Sequence, residues 1–428
     1  MHLAVVIPTR NRAGLAITAV ESVLDQRVPE ISVIVSDNST EPEESHRLEA
    51  FVQGLGDSAV RYVQPVEPLP MASHWDWAMT CALADPAVTH VGYLTDRMVF
   101  RRDCLPLLLA MIEDHPGRIL AYNHDDLIDH ARPVRLHQHP RTSELMELDA
   151  QHLLDLGAGG EFPHALPRML NCLVPRDVVE VVRDRFGSVF ASVSPDYCFA
   201  FRSLDAVDSI LYFDESCLVN YALDRSHGFS YTRGLENRDR REFVADLAGA
   251  PMHVSTPLPE FETVMNSVFN EYFFVLSDPA SNKLRRVRRH AYLNALAEGM
   301  RLLEDDHVRT REMERLAGHG WRWRGGRARG WLDRRATLIR FFARRPGTLL
   351  RRLAGLWQRT PPGRLIWRLA IALGATPPSG GWLEFPDRTA GLERARDLPP
   401  RRTRDFAHLP NLVEPPGVAQ VLDVRKLS

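Results

Sequence analysis

The chain has 428 residues, 44% of them hydrophobic and 25% charged, with a formal net charge of −2, a profile that suits a globular protein with one large or two medium cores. Collagen-like, disulfide-scaffold and wholly disordered classes are excluded, and apolar runs such as residues 3–8 and 369–373 fall far short of the roughly 20 residues of a membrane-spanning helix. No basic-then-apolar leader precedes the first apolar run, and the five cysteines (Cys81, Cys104, Cys172, Cys198, Cys217) lack the paired spacing that grips zinc, so a cytoplasmic chain with reduced thiols is expected.

The pattern then alternates short β-branched runs with amphipathic segments, as βαβ units do. LAVVIP (3–8) reads as a buried strand, and Ala16, Ala19, Val20, Val23 and Leu24 fall on one face of a helix that starts near Arg12. Residues 31–36 are a second strand, 41–55 a polar helix, 60–64 a third strand, 71–84 a helix with Trp75 and Trp77, and 89–94 a fourth strand. A helix over Leu105–Ile112, with Asp103 as N-cap, precedes a fifth strand at 119–123, and Asp125-Asp126 reads as loop. Further on, Gly157, Gly159 and Gly160 suggest a loop, 171–175 a strand, and 176–186 a helix closed by Gly187. Ser194-Pro195-Asp196 has the chemistry of a helix start, and 209–214 and 217–223 suggest two more strands. From about 236 onward the pattern is helical, then Arg-rich, then Pro-rich.

Rossmann-like halves bind ligands at the carboxyl ends of their strands. Those ends present Thr9-Arg10-Asn11-Arg12, Ser36-Asp37-Asn38-Ser39 and Thr95-Asp96-Arg97. No G-x-G-x-x-G follows the first strand and no G-K-[ST] occurs anywhere, which removes the main support for a dinucleotide oxidoreductase or a P-loop NTPase.

In VVIPTRNR, VSDNST, THVGYLTD, SPDYCFAFRSL and YFDESCLVNYALDRSHG, in that order over about residues 3–232, the chain resembles family-2 glycosyltransferases of the GT-A fold. The resemblance implies an α/β architecture, a Rossmann-like nucleotide-binding half plus an acceptor half, followed here by a mainly helical, Arg-rich C-terminal region. It also implies inverting transfer of a sugar from a nucleotide-diphosphate sugar, UDP-type first, to a hydroxyl acceptor of a polysaccharide or glycolipid. By the same resemblance Thr9, Arg10 and Arg12 would line the nucleotide pocket, Asp37 would bond the base, Asp96 would sit at the diphosphate, and Asp196 would be the general base. Bland roles stand beside these. Asp37 could close an Asx-type turn, and Asp196 could serve only the helix macrodipole, worth about 0.3–1 kcal/mol.

The chain departs from the family in its acid cluster. Related chains carry two or three acids after strand four, where this one reads Thr95-Asp96-Arg97-Met98. A divalent cation, Mn²⁺ or Mg²⁺, would find one carboxylate at Asp96, with His227 as a second candidate ligand; Mg²⁺ can bind through one or two carboxylates plus substrate phosphates. Alternatively Arg97 supplies the positive charge, or pairs with Asp96 and leaves a non-catalytic GT-A-like protein that binds a nucleotide sugar or a partner.

Residues 321–368 hold fourteen arginines against the single acid Asp333, a net +13 that leaves −15 on the rest of the chain. Within 347–359, Leu349, Leu350, Leu353, Leu356 and Trp357 share one helical arc opposite Arg351, Arg352 and Arg359. Such a helix suits an anionic membrane surface, peripheral at the inner face, or packing on the acidic body; nucleic acid is not expected. The expected organisation is a transferase-like domain over 1–235, a helical extension over 236–320, a basic amphipathic segment over 321–376 and a Pro-rich, partly extended tail over 377–428.

Overall fold

The computed structural model describes residues 1–130, 132–226, 228, 230, 238–246, 252–321, 382–403, 408, 409, 412 and 419–422. His227, the stretch 347–359 and all but Trp321 of the basic segment 321–376 lie outside the described residues.

The first strand, β1 (Leu3–Thr9), is buried along its whole length. Leu3, Val5 and Ile7 enter one core while Ala4 and Val6 enter the other, because successive side chains of a strand point to opposite faces. Helix α1 (Ala13–Leu24) covers the first core with Ala13, Ala16, Ala19, Val20 and Val23. Next come β2 (Ile31–Asp37), α2 (Pro42–Leu55), β3 (Val60–Val63), α3 (Met71–Leu83) and β4 (His90–Tyr93). Strands β2 and β4 flank β1 in parallel, and β3 runs parallel beyond β2.

Beyond β4 the sheet departs from the expected parallel order. A short β5 (Met98–Phe100) and α4 (Cys104–Asp114) lead to β6 (Leu120–Ile128). Between β4 and β6 lies β9 (Cys172–Pro175), antiparallel to both. Strand β6 therefore does not extend the parallel set directly, and it carries Asp125 and Asp126, where the sequence pattern predicts a loop. Asp103 precedes α4 without a side-chain cap bond, in a left-handed conformation. Strands β7 (Val134–His137) and β8 (Leu145–Asp149) and helix α5 (Ala150–Ala158) fill a region where the sequence pattern predicts only a glycine loop. Helix α6 (Arg176–Phe186) does end at Gly187, whose φ of 77° favours glycine. After α7 (Pro195–Ala206), the two expected strands are one, β10 (Ser209–Asn220), parallel to β6.

Among the described residues that follow are four helices, α8 (Arg238–Asp246), α9 (Val264–Ser277), α10 (Arg289–Met300) and α11 (Asp306–Gly318). Helix α9 packs on α7, and Val268, Tyr272 and Val275 join the second core. The described parts of the tail are not merely extended. Strand β11 (Trp382–Phe385) pairs with β7, α12 (Arg388–Asp397) packs against β7 and β10, and β12 (Ala419–Leu422) pairs with β8. Among the described residues no helix is long and apolar enough to cross a membrane.

Candidate functional site

The carboxyl ends of β1, β2 and β4 lie at one edge of the sheet because these strands are parallel. The antiparallel β9 brings its preceding loop, Arg168–Asn171, to that edge, and β10 delivers Asn220 there. A cavity of about 410 Å³ opens at this edge, lined by Thr9, Arg10, Arg12, Asn38, Asp96, Arg97, Arg168, Asn220 and, at the start of α7, Ser194–Tyr197. Helix α3 adds Met71, His74 and Trp75, and α9 adds Val264, Ser267 and Val268.

Six of the residues singled out in the sequence, Thr9, Arg10, Arg12, Asp96, Arg97 and Asp196, share this cavity although they come from three separate segments. Asp96 is buried, accepts a hydrogen bond from Thr9 Oγ1 (2.9 Å) and meets the Arg12 guanidinium at 3.5 Å. Arg12 also donates to the Arg225 carbonyl (2.8 Å), tying the end of β1 to the segment after β10. Arg97 turns to Asn220 Oδ1 (3.4 Å). Thr95 Oγ1 is buried with no hydrogen-bond partner, an atom that a polar ligand group could satisfy.

Asp37 is fully buried and is not among the lining residues. Its Oδ1 accepts from Ser39 N (2.9 Å), the Asx-type turn considered from the sequence, and its Oδ2 accepts from the Tyr62 hydroxyl (2.8 Å). The neighbour Asn38 reaches the cavity instead, its amide clamped to both backbone groups of Leu69 at 2.8 and 2.9 Å.

Asp196 is the second residue of α7, after Pro195 in the first turn, and is partly exposed to the cavity. Its crowded surroundings nevertheless raise its carboxyl above the ordinary aspartate value, burial outweighing the nearby Arg168. Arg168, which the sequence reading did not single out, lies over the Tyr197 ring at 5.3 Å and donates to its hydroxyl (3.4 Å). It sits in an irregular loop with no periodicity to mark it. His74 bonds Ser36 Oγ at 2.8 Å, and burial lowers it to about 4, so the imidazole is neutral near pH 7. Trp75 is buried and lines the cavity while Trp77 is only partly buried, as their helical spacing implies.

No three His, Cys, Asp or Glu side chains converge to hold a metal ion among the described residues. Both oxygens of Asp96 already have protein partners. The described donor set does not by itself fit a cation site, and His227 lies outside it. The positive groups at hand are Arg10, Arg12, Arg97 and Arg168; the acids besides Asp96 are Asp196 and Glu242. Such a lining can hold an anionic ligand and offer a carboxylate to a hydroxyl proton.

Residues 4–169 match the family described as glycosyl transferase family 2. The match ends before Asp196. No curated protein sequence is significantly similar to the chain. Among solved structures, TarS of S. aureus aligns at 13% identity over 72% of this chain and 50% of its own, with a TM-score of 0.39. The chain thus spans about half the length of that protein. The 1–349 fragment of TarS in complex with UDP-GlcNAc aligns at 14% identity over 72% and 83% of the two chains, with a TM-score of 0.40. The complex of that fragment with UDP gives 12%, 76%, 93% and 0.42. These are distant likenesses.

Proposed function

We propose, from the premise that residues 4–169 are a glycosyl transferase family 2 region, that the chain is an inverting glycosyltransferase. It moves a sugar from a nucleotide diphosphate, UDP-type, to a hydroxyl acceptor of a glycan or glycolipid. The observation that carries this reading is the convergence of Arg10, Arg12, Arg97, Arg168 and Asp196 on one cavity at the carboxyl edge of the sheet. Arginines suit a diphosphate because their planar donor forks match phosphate oxygens. Asp196 stands where an acceptor hydroxyl could reach it, and a positioned carboxylate that takes the proton as the new bond forms contributes about 10²–10⁴-fold. Its raised pKa makes it a better base than an ordinary surface aspartate.

In this reading Thr9, Arg10, Arg12 and Asp96 shape the nucleotide pocket, and Asp37 acts through the turn that presents Asn38. Charge on the departing diphosphate is met by Arg12, Arg97 and Arg168. A divalent cation is the alternative source of positive charge there, although both oxygens of Asp96 already have protein partners. Chelator separates the two: if the arginines suffice, turnover survives chelation and Arg97→Ala lowers it at least tenfold. If the cation is needed, chelation abolishes turnover.

The test of the function is a screen of UDP-sugars by calorimetry and by UDP release, with Mn²⁺ and with chelator. Binding with turnover supports the transferase. Binding without turnover, over a range of hydroxyl acceptors, supports the non-catalytic nucleotide-sugar-binding alternative, and no binding contradicts both.

A further inference from the structure

Helix α9 carries an acid in the middle of an apolar run, VMNSVFNEYFFVLS, and that acid, Glu271, is wholly buried. Its Oε1 accepts from Ser192 Oγ (3.0 Å), Val193 N (3.2 Å) and Ser194 N (3.0 Å). Asn270 Nδ2 also donates to this oxygen at 3.2 Å and to Ser192 Oγ at 2.9 Å. Oε2 is buried with no partner. Three successive residues of one loop thus converge on a single oxygen. The loop ends at Ser194, the residue before α7, two positions from Asp196.

The loop has a conformation that needs such a hold. Ser192 has a φ of 63°, the left-handed region that residues other than glycine seldom adopt and that persists when surrounding contacts impose it. Burial lifts the Glu271 carboxyl to about 8, so near pH 7 the neutral acid predominates. The four hydrogen bonds to Oε1 favour the ionised form, and burial outweighs them.

We propose that Glu271 is a positioning residue for Asp196, fixing the 192–194 loop so that the first turn of α7 presents the carboxylate to the acceptor hydroxyl; this rests on the reading of Asp196 as the base. Glu271 lies on the extension, outside the family-2 match, so the extension would complete the site and not merely cover it.

The test uses the full-length chain and whichever UDP-sugar gives the fastest UDP release. Glu271→Ala should lower kcat at least tenfold with the KM for the UDP-sugar within twofold of the parent. Glu271→Gln, whose amide oxygen can accept the same donors, should stay within about threefold. The double variant with Asp196→Asn should be no slower than Asp196→Asn alone, because a positioning residue has nothing left to position. Ser192→Ala, which removes one donor and leaves Glu271 in place, should lower kcat about two- to fivefold at constant KM, and it decides the matter if Glu271→Ala does not fold. An unchanged kcat in Ser192→Ala or Glu271→Ala, a glutamine as damaging as the alanine, or a double variant slower than Asp196→Asn overturns the proposal. Failure of the underlying reading looks different: Asp196→Asn then turns over like the parent, or the parent releases no UDP from any sugar, and the proposal falls with it.

Discussion

Asp196 and Glu271 are two carboxyls on facing helices whose surroundings both favour the neutral form, and each predicts a pH dependence of its own. For Asp196 burial exceeds the opposing pull of Arg168, and a base must be ionised to act. The acid limb of the kcat/KM profile should therefore lie above the usual aspartate range, and Arg168→Ala should move it higher still. A limb that stays in place in that variant would separate Arg168 from Asp196. For Glu271 the folded chain holds a proton, between the ordinary value of 4.5 and about 8, that the unfolded chain gives up. Stability from this group is full below the lower value and declines as pH rises through the window, by up to about 1.4 kcal/mol per pH unit. Denaturant unfolding at pH 5 and pH 8 should show this decline in the parent and less of it in Glu271→Gln; equal slopes would contradict the burial argument. Neither residue was equally plain in the sequence. Asp196 stood in a motif, whereas Glu271 was signalled only by its place among apolar residues.

Among the elements, β6 illustrates why some of the fold escaped the sequence. Asn123-His124-Asp125-Asp126 is polar enough to read as a loop, yet Asp125 is buried against Arg101 at 2.6 Å, with Ser216 Oγ (2.9 Å) and His139 N (2.9 Å) on its other oxygen. Buried pairs of this kind hide strands from a reading based on apolar periodicity. Arg101 also donates to the Ala395 carbonyl at 2.6 Å, so one guanidinium joins the strand to the tail helix α12. Arg101→Leu should cost about 3–5 kcal/mol, since it strands an unpaired buried carboxylate, whereas Arg101 and Asp125 replaced together by apolar residues should cost less. Chemical denaturation measures both, and a cost below about 1 kcal/mol for the single change would contradict the pairing. Strands β1 and β2 were legible because parallel strands buried on both faces are near-continuous apolar runs, whereas β3, VRYV, is fully buried only at Val60. The direction of β9 was not legible, since nothing in four apolar residues states which way a strand runs.

For the whole molecule, the tail returns to the sheet after the Arg-rich segment. The body therefore includes β11, α12 and β12, and a truncation at Trp321 would remove parts of the sheet as well as the basic stretch. The expected contact of residues 321–368, net charge +13, with anionic membranes is better tested within the intact chain. Sedimentation with acidic liposomes should fall as salt rises, the screening length being about 8–10 Å near physiological ionic strength, and Leu353→Glu should weaken it even at low salt. Liposome binding indifferent to both would move the contact surface elsewhere. The first half of the cavity was legible because strand ends carry short motifs. Its second wall, from Arg168 and α9, was not, because those residues meet the site only through tertiary packing.

The central claim is that one cavity binds a nucleotide sugar and that Asp196 takes the acceptor proton there. It is tested most directly by measuring UDP-sugar affinity and UDP release for the parent and for Asp196→Asn under the same conditions. The account predicts affinity within about threefold and turnover reduced at least a hundredfold, because a base acts in the transition state more than in the bound ground state. Turnover by Asp196→Asn equal to that of the parent would contradict it.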